Sequence, residues 1–285
     1  MKLISYVHEG KEEFGAVDGE NVVGLREASG CATLAEFIGS PAFAARDKLV
    51  KGQEVIPFAD VTLLPPIPRP EKIVCAVRNY MDHHQEALAL GLKREISDFP
   101  PIFLRVWRSQ TAHGQAIVRP HASESLDWEG ELAVIIGKEG RDIPESEAWE
   151  YVAGYSCYND ASIREWQFHA QQIAAGKNFE NTGGFGPWMV TADEIDPGQT
   201  LKITTRLNDE VVQSGDTSHL IFSVPRLINY ASTIFTLVPG DVIVTGTPAG
   251  MGFSRKPPLY MKPGDTVEVE IESIGTLVNP VTAQA

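Results

Sequence analysis

Acids occupy every second position of the run Asp127-Trp128-Glu129-Gly130-Glu131. Side chains alternate along an extended strand, so Asp127, Glu129 and Glu131 share one face. Converging carboxylates repel one another unless a cation or solvent screens them. Two readings fit this spacing equally: a cation site, or the solvated edge of an acidic protein. The apolar run that follows, Leu132-Ala133-Val134-Ile135-Ile136, marks a strand entering the core and weakens the second reading.

A second polar group follows the apolar and aromatic segment Tyr155-Ser156-Cys157-Tyr158-Asn159-Asp160. That segment reads as a strand ending at Asn159-Asp160, where a helix starts. An Asp in such a place is ordinarily an N-cap. Asp160, Arg164, Gln167 and Gln171 also follow spacings of 4, 3 and 4, which line them up on one helix face. The face is either solvated or lines a pocket that reads a carboxylate, for which guanidinium and amide groups are suited. If Asp160 meets Glu129 and Glu131, the ligand set is all oxygen, which selects Mg²⁺, Mn²⁺ or Ca²⁺ over zinc. Three ligands leave about three positions of an octahedral ion open, enough for a bidentate oxo acid and a water.

The elements that must position these groups are mostly strands. At 285 residues, with 43% hydrophobic and 22% charged residues, the chain can build a full core. The net charge of −14 argues against a nucleic-acid or anionic-membrane partner, both of which need a basic footprint. Cys31, Cys75 and Cys157 form no CxxC and suggest a reducing compartment rather than a disulfide framework. The first residues become charged before a signal-like apolar region develops, so a cytoplasmic location is expected. Residues 1–66 read as a small N-terminal α+β domain, with short strands followed by a helical stretch over 33–49 that breaks at Pro41. Four prolines within 65–70 place a boundary there, or a rigid surface strap. In the catalytic part, residues 70–285, strands are expected at 72–77, 102–105 and 126–137, and a helix at 80–92. Turn signals Pro197-Gly198-Gln199, Pro239-Gly240-Asp241 and Pro263-Gly264-Asp265 precede β-branched, alternating runs. The class is α+β and strand-dominated, without the strand–helix alternation of a doubly wound sheet. No GxSxG, Walker or dinucleotide fingerprint occurs.

Five segments together resemble the fumarylacetoacetate hydrolase family. They are Arg78-Asn79-Tyr80-Met81-Asp82-His83, Asp127-Trp128-Glu129-Gly130-Glu131-Leu132, Asn159-Asp160-Ala161-Ser162-Ile163-Arg164, Gly176-Lys177-Asn178-Phe179 with Phe185-Gly186-Pro187-Trp188, and the run from Pro239 to Gly250. The resemblance covers the chain from near residue 70 to its end and implies a mixed β-sandwich roll and a homodimer. It also implies one Mg²⁺ or Mn²⁺ per subunit, with Ca²⁺ able to stand in. Glu129, Glu131 and Asp160 match the family's metal ligands; Asp127 is our own assignment as a group supporting them. His83 and Glu86 match an acid–base pair on a lid, and spacing of i and i+3 lets a carboxylate touch and orient an imidazole. Lys177 matches an active-site lysine, which beside three carboxylates can balance charge and stabilise an enolate. Arg78, Arg164, Gln167 and Thr247 match substrate-contacting positions. The segment Leu104-Arg105-Val106-Trp107-Arg108-Ser109 stands where many relatives carry Lys-Pro. Its two arginines, Arg105 and Arg108, flanking a Trp suggest a pocket for a second carboxylate or an unsaturated chain, with Arg108 as a substrate-binding residue, or equally a dimer-interface patch.

The function implied is a metal-dependent hydrolase that cleaves a C–C bond of a 2,4-dioxo acid in carbon or aromatic-compound catabolism. His83, helped by Glu86, would activate water, and a pyruvate enolate would leave. Because the same electron sink serves other reactions, a lyase or isomerase on 2-oxo diacids is the alternative. A non-catalytic metal or small-molecule binding protein is the third reading. The expected partner is a 2-oxo acid.

Overall fold

The computed structural model describes residues 1–89, 91 and 95–285. Among these, a twelve-stranded mixed sheet and a five-stranded sheet carry most of the chain, as the strand-dominated reading expected. Strand Gly130–Ile136 lies near the middle of the larger sheet, antiparallel to Val152–Asn159 on one side and Val242–Val244 on the other. Every residue of Gly130–Ile136 and of Val152–Asn159 is buried. That explains their near-continuous apolar character, since both faces of these strands are covered.

One face of the large sheet packs against the smaller one. Leu132, Val134, Tyr155 and Ile243 meet Ile203, Val269, Ile271 and Leu277 there, joined by Leu227 and Ile228 of the helix Val224–Ile234. The opposite face carries Ala133, Ile135, Cys75, Val244 and Met189 against Phe37 and Phe14 from the N-terminal region. The N-terminal strands join the same sheet: Lys2–His8 pairs antiparallel with Gly183–Thr191, with Lys2 opposite Val190. The helical stretch breaks at Pro41 as expected, into Leu34–Ile38 and the turns Pro41–Ala45 and Arg46–Leu49. Thr33 caps the first piece by accepting from Glu36 N at 3.1 Å. The proline strap is fastened down, because Thr62–Leu63 pairs with Val7 and Tyr6, Ser5 Oγ donates to Pro66 O, and Ile67 is buried.

Two boundaries differ from the sequence reading, and both matter for the site. The strand expected over 126–137 is broken at Trp128–Glu129, leaving Leu126–Asp127 and Gly130–Ile136. The helix expected to start at Asp160 starts at Arg164 and ends at Gln167. Asp160 is therefore no N-cap: Ser162–Ile163 first continues as a strand, paired with Asp127 and Leu126. Long-range pairing overrides the local preference at this point. The helix that carries His83 and Glu86 spans Met81–Ala89, and the part of the expected helix at Leu90 and Leu92 lies outside the described residues. Among the described residues, no helix is long and apolar enough to cross a membrane.

Candidate active site

The floor of the site is built where three strands end together. Glu131 opposes Tyr158 in the sheet, and Glu129 lies one strand-period earlier, at the break. Asp160 follows the last residue of Val152–Asn159, and its N–H donates to Glu129 O at 2.8 Å. Asn159 Oδ1 accepts from Glu129 N, so the break itself is fixed. One carboxylate oxygen from each of Glu129, Glu131 and Asp160 lies within 4.8 Å of the others, and all three residues are buried. The i, i+2 spacing and the separate Asp therefore converge as the cation reading required.

Buried acids need compensation, and three cations supply it. Lys177, 2% exposed, places Nζ 2.6 Å from Glu129 Oε2 and 2.6 Å from Asp160 Oδ2. Arg164 Nη1 is 2.7 Å from Glu129 Oε1, while its Nε donates to Asp127 Oδ2 at 2.8 Å. Arg105 donates to Asp160 Oδ1 at 2.5 Å. The acids respond differently. Burial alone would raise Glu129, but the charges of Lys177 and Arg164 hold it at about 2. Burial, with the neighbouring charges of Asp160 and Glu129, pushes Glu131 well above the ordinary carboxylate range. A site that disfavours one of its own charges is what an added divalent cation would relieve. The all-oxygen donor set, buried and convergent, fits Mg²⁺ or Mn²⁺.

Asp127 is not one of the converging ligands. It accepts from Gly252 N at 2.8 Å, from Phe253 N at 3.0 Å and from Arg164, and so ties the 250–254 loop to the arginine that holds Glu129. Gly252 is required there, since a Cβ would stand 1.9 Å from Leu259 O and 2.6 Å from Asp127 Oδ1. Glu131 is oriented by another glycine: Gly246 N donates to Glu131 Oε2 at 2.5 Å. Gly246 has φ +100°, and a Cβ would meet that of Asn79 at 2.8 Å.

The roof comes from the helix Met81–Ala89. His83 is 7% exposed, and its Nδ1 is buried without a hydrogen-bond partner among the described residues. Burial lowers its pKa to about 4, against the opposing charge of Glu129, so the imidazole is neutral near pH 7. Glu86 Oε2 stands 3.9 Å from His83 Nδ1, beyond hydrogen-bond reach. Its carboxylate is instead held by the Ser254 hydroxyl at 2.6 Å and by Gly250 N at 3.3 Å. Adjacent His84 lines a different recess, with Glu95 and Phe222.

His83, Arg78, Arg164, Gln167, Lys177, Thr247 and the three acids line one cavity, closed on its apolar side by Phe103, Phe168 and Phe253. Gln167 Oε1 accepts from Arg164 Nη1 at 2.8 Å. Arg78 holds a left-handed backbone, φ +51°, an unfavourable conformation that tertiary contacts must impose. Thr247 donates to Gly130 O and accepts from Gln213 Nε2, both at 2.9 Å. Two of the polar residues singled out from the sequence lie elsewhere. Gln171 is exposed, because the helix ends before it. Arg108 lies on the surface, its guanidinium 4.6 Å from the Trp107 ring, and is not among the cavity-lining residues.

Sequence reasoning missed Gln213, Ser254 and Gly246 as supports of Thr247, Glu86 and Glu131. Each reaches the site from a segment distant in the chain, and although Gly246 lies in the quoted run from Pro239 to Gly250, nothing local shows which carboxylate it meets. Arg105 was singled out, but for the wrong setting: its guanidinium is wholly buried behind Asp160 rather than open to substrate.

With this geometry in hand, comparison with known proteins is informative. The family model for the fumarylacetoacetate (FAA) hydrolase C-terminal domain matches residues 72–282. A mitochondrial oxaloacetate tautomerase of Homo sapiens is 41% identical over 239 residues, covering 83% of this chain and 74% of the relative. A fumarylacetoacetate hydrolase structure from Exiguobacterium antarcticum superposes with TM-score 0.85 and 34% identity over the whole of both chains. A maleylpyruvate hydrolase from Sphingobium, solved with manganese(II) and pyruvate, superposes with TM-score 0.83 and 26% identity, again over the whole of both chains. The chain belongs to the fumarylacetoacetate hydrolase family and is one of its enzymes.

Proposed function

We propose that the protein interconverts the keto and enol forms of a short 2-oxo diacid of the oxaloacetate type, with Mg²⁺ or Mn²⁺ held by Glu129, Glu131 and Asp160. The observation that carries this reading is a neutral His83, its Nδ1 without a hydrogen-bond partner among the described residues, lining the same cavity as the carboxylate cluster and Lys177. A tautomerase needs a base near the carbon next to the oxo group and positive charge near its oxygen, and it needs no water. The cavity is small, about 70 Å³, which favours a short acid over a long unsaturated chain. The 41% identity to an oxaloacetate tautomerase supports the same choice.

A bound divalent ion would polarise the oxo group and stabilise negative charge on its oxygen. His83 takes the proton from C3 and, as imidazolium, returns it to C3 or to the enol oxygen. Glu86, fixed by Ser254 and Gly250, supports the imidazolium by its charge across 3.9 Å. The surrounding acids hold the Lys177 pKa up despite burial, so it stays an ammonium that can offset charge on the enolate oxygen. Arg78, Arg164 and Gln167 bind the carboxylates of the substrate, and Phe103, Phe168 and Phe253 line the apolar side of the cavity.

A second reading uses the same residues. His83 would activate water to cleave the C–C bond of a 2,4-dioxo acid, the reaction class supported by the Sphingobium maleylpyruvate hydrolase with its pyruvate. A product-resolved assay separates the two. Oxaloacetate, acylpyruvates and maleylpyruvate are supplied with Mg²⁺, with Mn²⁺ and with EDTA, following enol decay and pyruvate release. Fast metal-dependent enol decay without carbon loss supports the tautomerase. Pyruvate release from the dioxo acids alone selects the hydrolase, and carbon dioxide release selects a decarboxylase.

A further inference from the structure

The strand Glu210–Asp216 forms one edge of the smaller sheet, and its alternation breaks in the middle: Val212 and Gln213 are both buried, between exposed Val211 and Ser214. A bulge accounts for this. Thr205 opposes Gln213 and Arg206 opposes Val211, which leaves Val212 as the extra residue. Bulges re-aim side chains, and this one turns a glutamine amide, 2% exposed, towards the break between Glu129 and Glu131. Every polar atom of the amide is used. Oε1 accepts from Gly130 N at 3.0 Å and from Thr205 Oγ1 at 2.9 Å. Nε2 donates to Thr247 Oγ1 and to Pro248 O, both at 2.9 Å.

Two backbone partners fix the orientation of this amide, since Gly130 N can only donate and Pro248 O can only accept. The Thr247 hydroxyl is fixed in turn: it accepts from Gln213 and sends its proton to Gly130 O at 2.9 Å. Gln213 and Thr247 thus clamp both backbone groups of the residue between Glu129 and Glu131. The same strand bears on the loop above. A Cβ on Gly250 would stand 2.4 Å from Val212 O and 3.3 Å from Gln213 Cα, and Gly250 N donates to Glu86 at 3.3 Å. We propose that Gln213 is a positioning residue of the reaction, which sets the spacing between the carboxylate floor and the loop that carries Thr247 and holds Glu86. It is not among the cavity-lining residues, so it acts through the groups it holds. Proton transfer depends on such spacing, because base and electron sink must meet the same substrate at once. The inference rests on the function proposed above and adds a residue on which that function depends.

Enol decay of oxaloacetate at saturating Mn²⁺, measured beside calorimetric Mn²⁺ binding, tests this in Gln213→Met and Gln213→Asn. Met fills similar space without the hydrogen bonds. Asn keeps the amide on a stem one methylene shorter, which cannot reach Gly130 and Pro248 together. In both variants kcat is expected to fall about thirtyfold, while KM and Mn²⁺ affinity stay within about threefold of wild type. A kcat within about twofold of wild type would overturn the proposal. So would a parallel loss of kcat and Mn²⁺ affinity, which would mean that Gln213 only holds the fold together. If Gln213→Met fails to fold, Gln213→Asn decides by the same criteria. Wild type that leaves oxaloacetate unchanged would remove the tautomerase reading instead. The same proteins are then compared for pyruvate release from an acylpyruvate, where an equal fall in kcat supports the role of Gln213 and its absence overturns it.

Discussion

Glu129, Glu131 and Asp160 stand on or beside paired strands at the centre of a sheet, whereas His83 and Glu86 stand on a nine-residue helix at its edge. The floor is held by sheet pairing and by three buried cations. The helix meets the 249–254 loop through Asp82, which accepts from Ala249 N at 3.3 Å, and through Glu86. The floor carries unfavourable charge, most visibly at Glu131, in a place that cannot move. The roof carries a buried polar atom, His83 Nδ1, without a hydrogen-bond partner among the described residues. Such a division suits an enzyme that sets a fixed electron sink opposite a neutral base on a separate element.

The contrast breaks most sharply at Glu131. Removal of one ligand deprives the reaction of several kcal/mol, so Glu131→Gln should lower metal-dependent turnover by about a thousandfold or more. The metal-free protein should respond in the opposite sense. A carboxyl whose folded pKa lies above its unfolded value contributes stability at low pH and loses it as pH rises through the folded value. Above that range the neutral amide relieves the repulsion, so Glu131→Gln should melt higher than wild type in EDTA and gain nothing from Mn²⁺. A lower melting temperature in EDTA at a pH where the wild-type carboxyl is ionised would contradict the electrostatic account of the floor.

At the roof, His83→Asn should reduce turnover by roughly 10²–10⁴-fold while Mn²⁺ affinity measured by calorimetry stays at the wild-type value. Parallel loss of both would mean that floor and roof are not separable. The same histidine sets a pH dependence. Its folded pKa is lowered to about 4 from 6.5, so the base form persists below the usual histidine range. The acid limb of kcat/KM is expected near pH 4, and a limb near 6.5 would show that the imidazole is not desolvated. By linkage the stability due to neutral His83 is present above pH 6.5 and is lost as pH falls through about 4.

Smaller effects sharpen the comparison. Ser254→Ala removes the hydroxyl that holds Glu86 and should lower turnover about tenfold, with Mn²⁺ affinity unchanged. Arg108→Ala should change turnover by less than about twofold, because its guanidinium rests on an exposed Trp107. A tenfold loss from Arg108→Ala would restore it to the substrate site.

How much of this was legible in sequence follows the same division. The floor residues were visible because strand periodicity is short: Glu129 and Glu131 share a face by spacing alone, and the apolar run beyond them announces burial. Asp160 does lie beside Glu129 and Glu131, but its spacing placed it on a helix, since the pairing of Ser162 with Asp127 is a contact between segments far apart in the chain. The same limit concealed Arg105, whose place behind Asp160 depends on Ser109 and Thr182 closing around it. At the roof, the i, i+3 spacing did bring His83 and Glu86 near each other. It could not show that Ser254 and Gly250 hold the Glu86 carboxylate and leave 3.9 Å to the imidazole. Local periodicity reveals which residues share a face; the partners that tune them arrive from elsewhere.

The most direct test of the central claim is proton exchange at C3 of a 2-oxo acid, followed by NMR in D₂O. A floor that stabilises an enolate beneath a histidine base predicts rapid deuterium incorporation into oxaloacetate with Mn²⁺-depleted, Mg²⁺-loaded enzyme. Incorporation should fall to the uncatalysed rate with EDTA, with Glu131→Gln or with His83→Asn. Exchange that persists at the wild-type rate in EDTA, or in His83→Asn, would contradict the account.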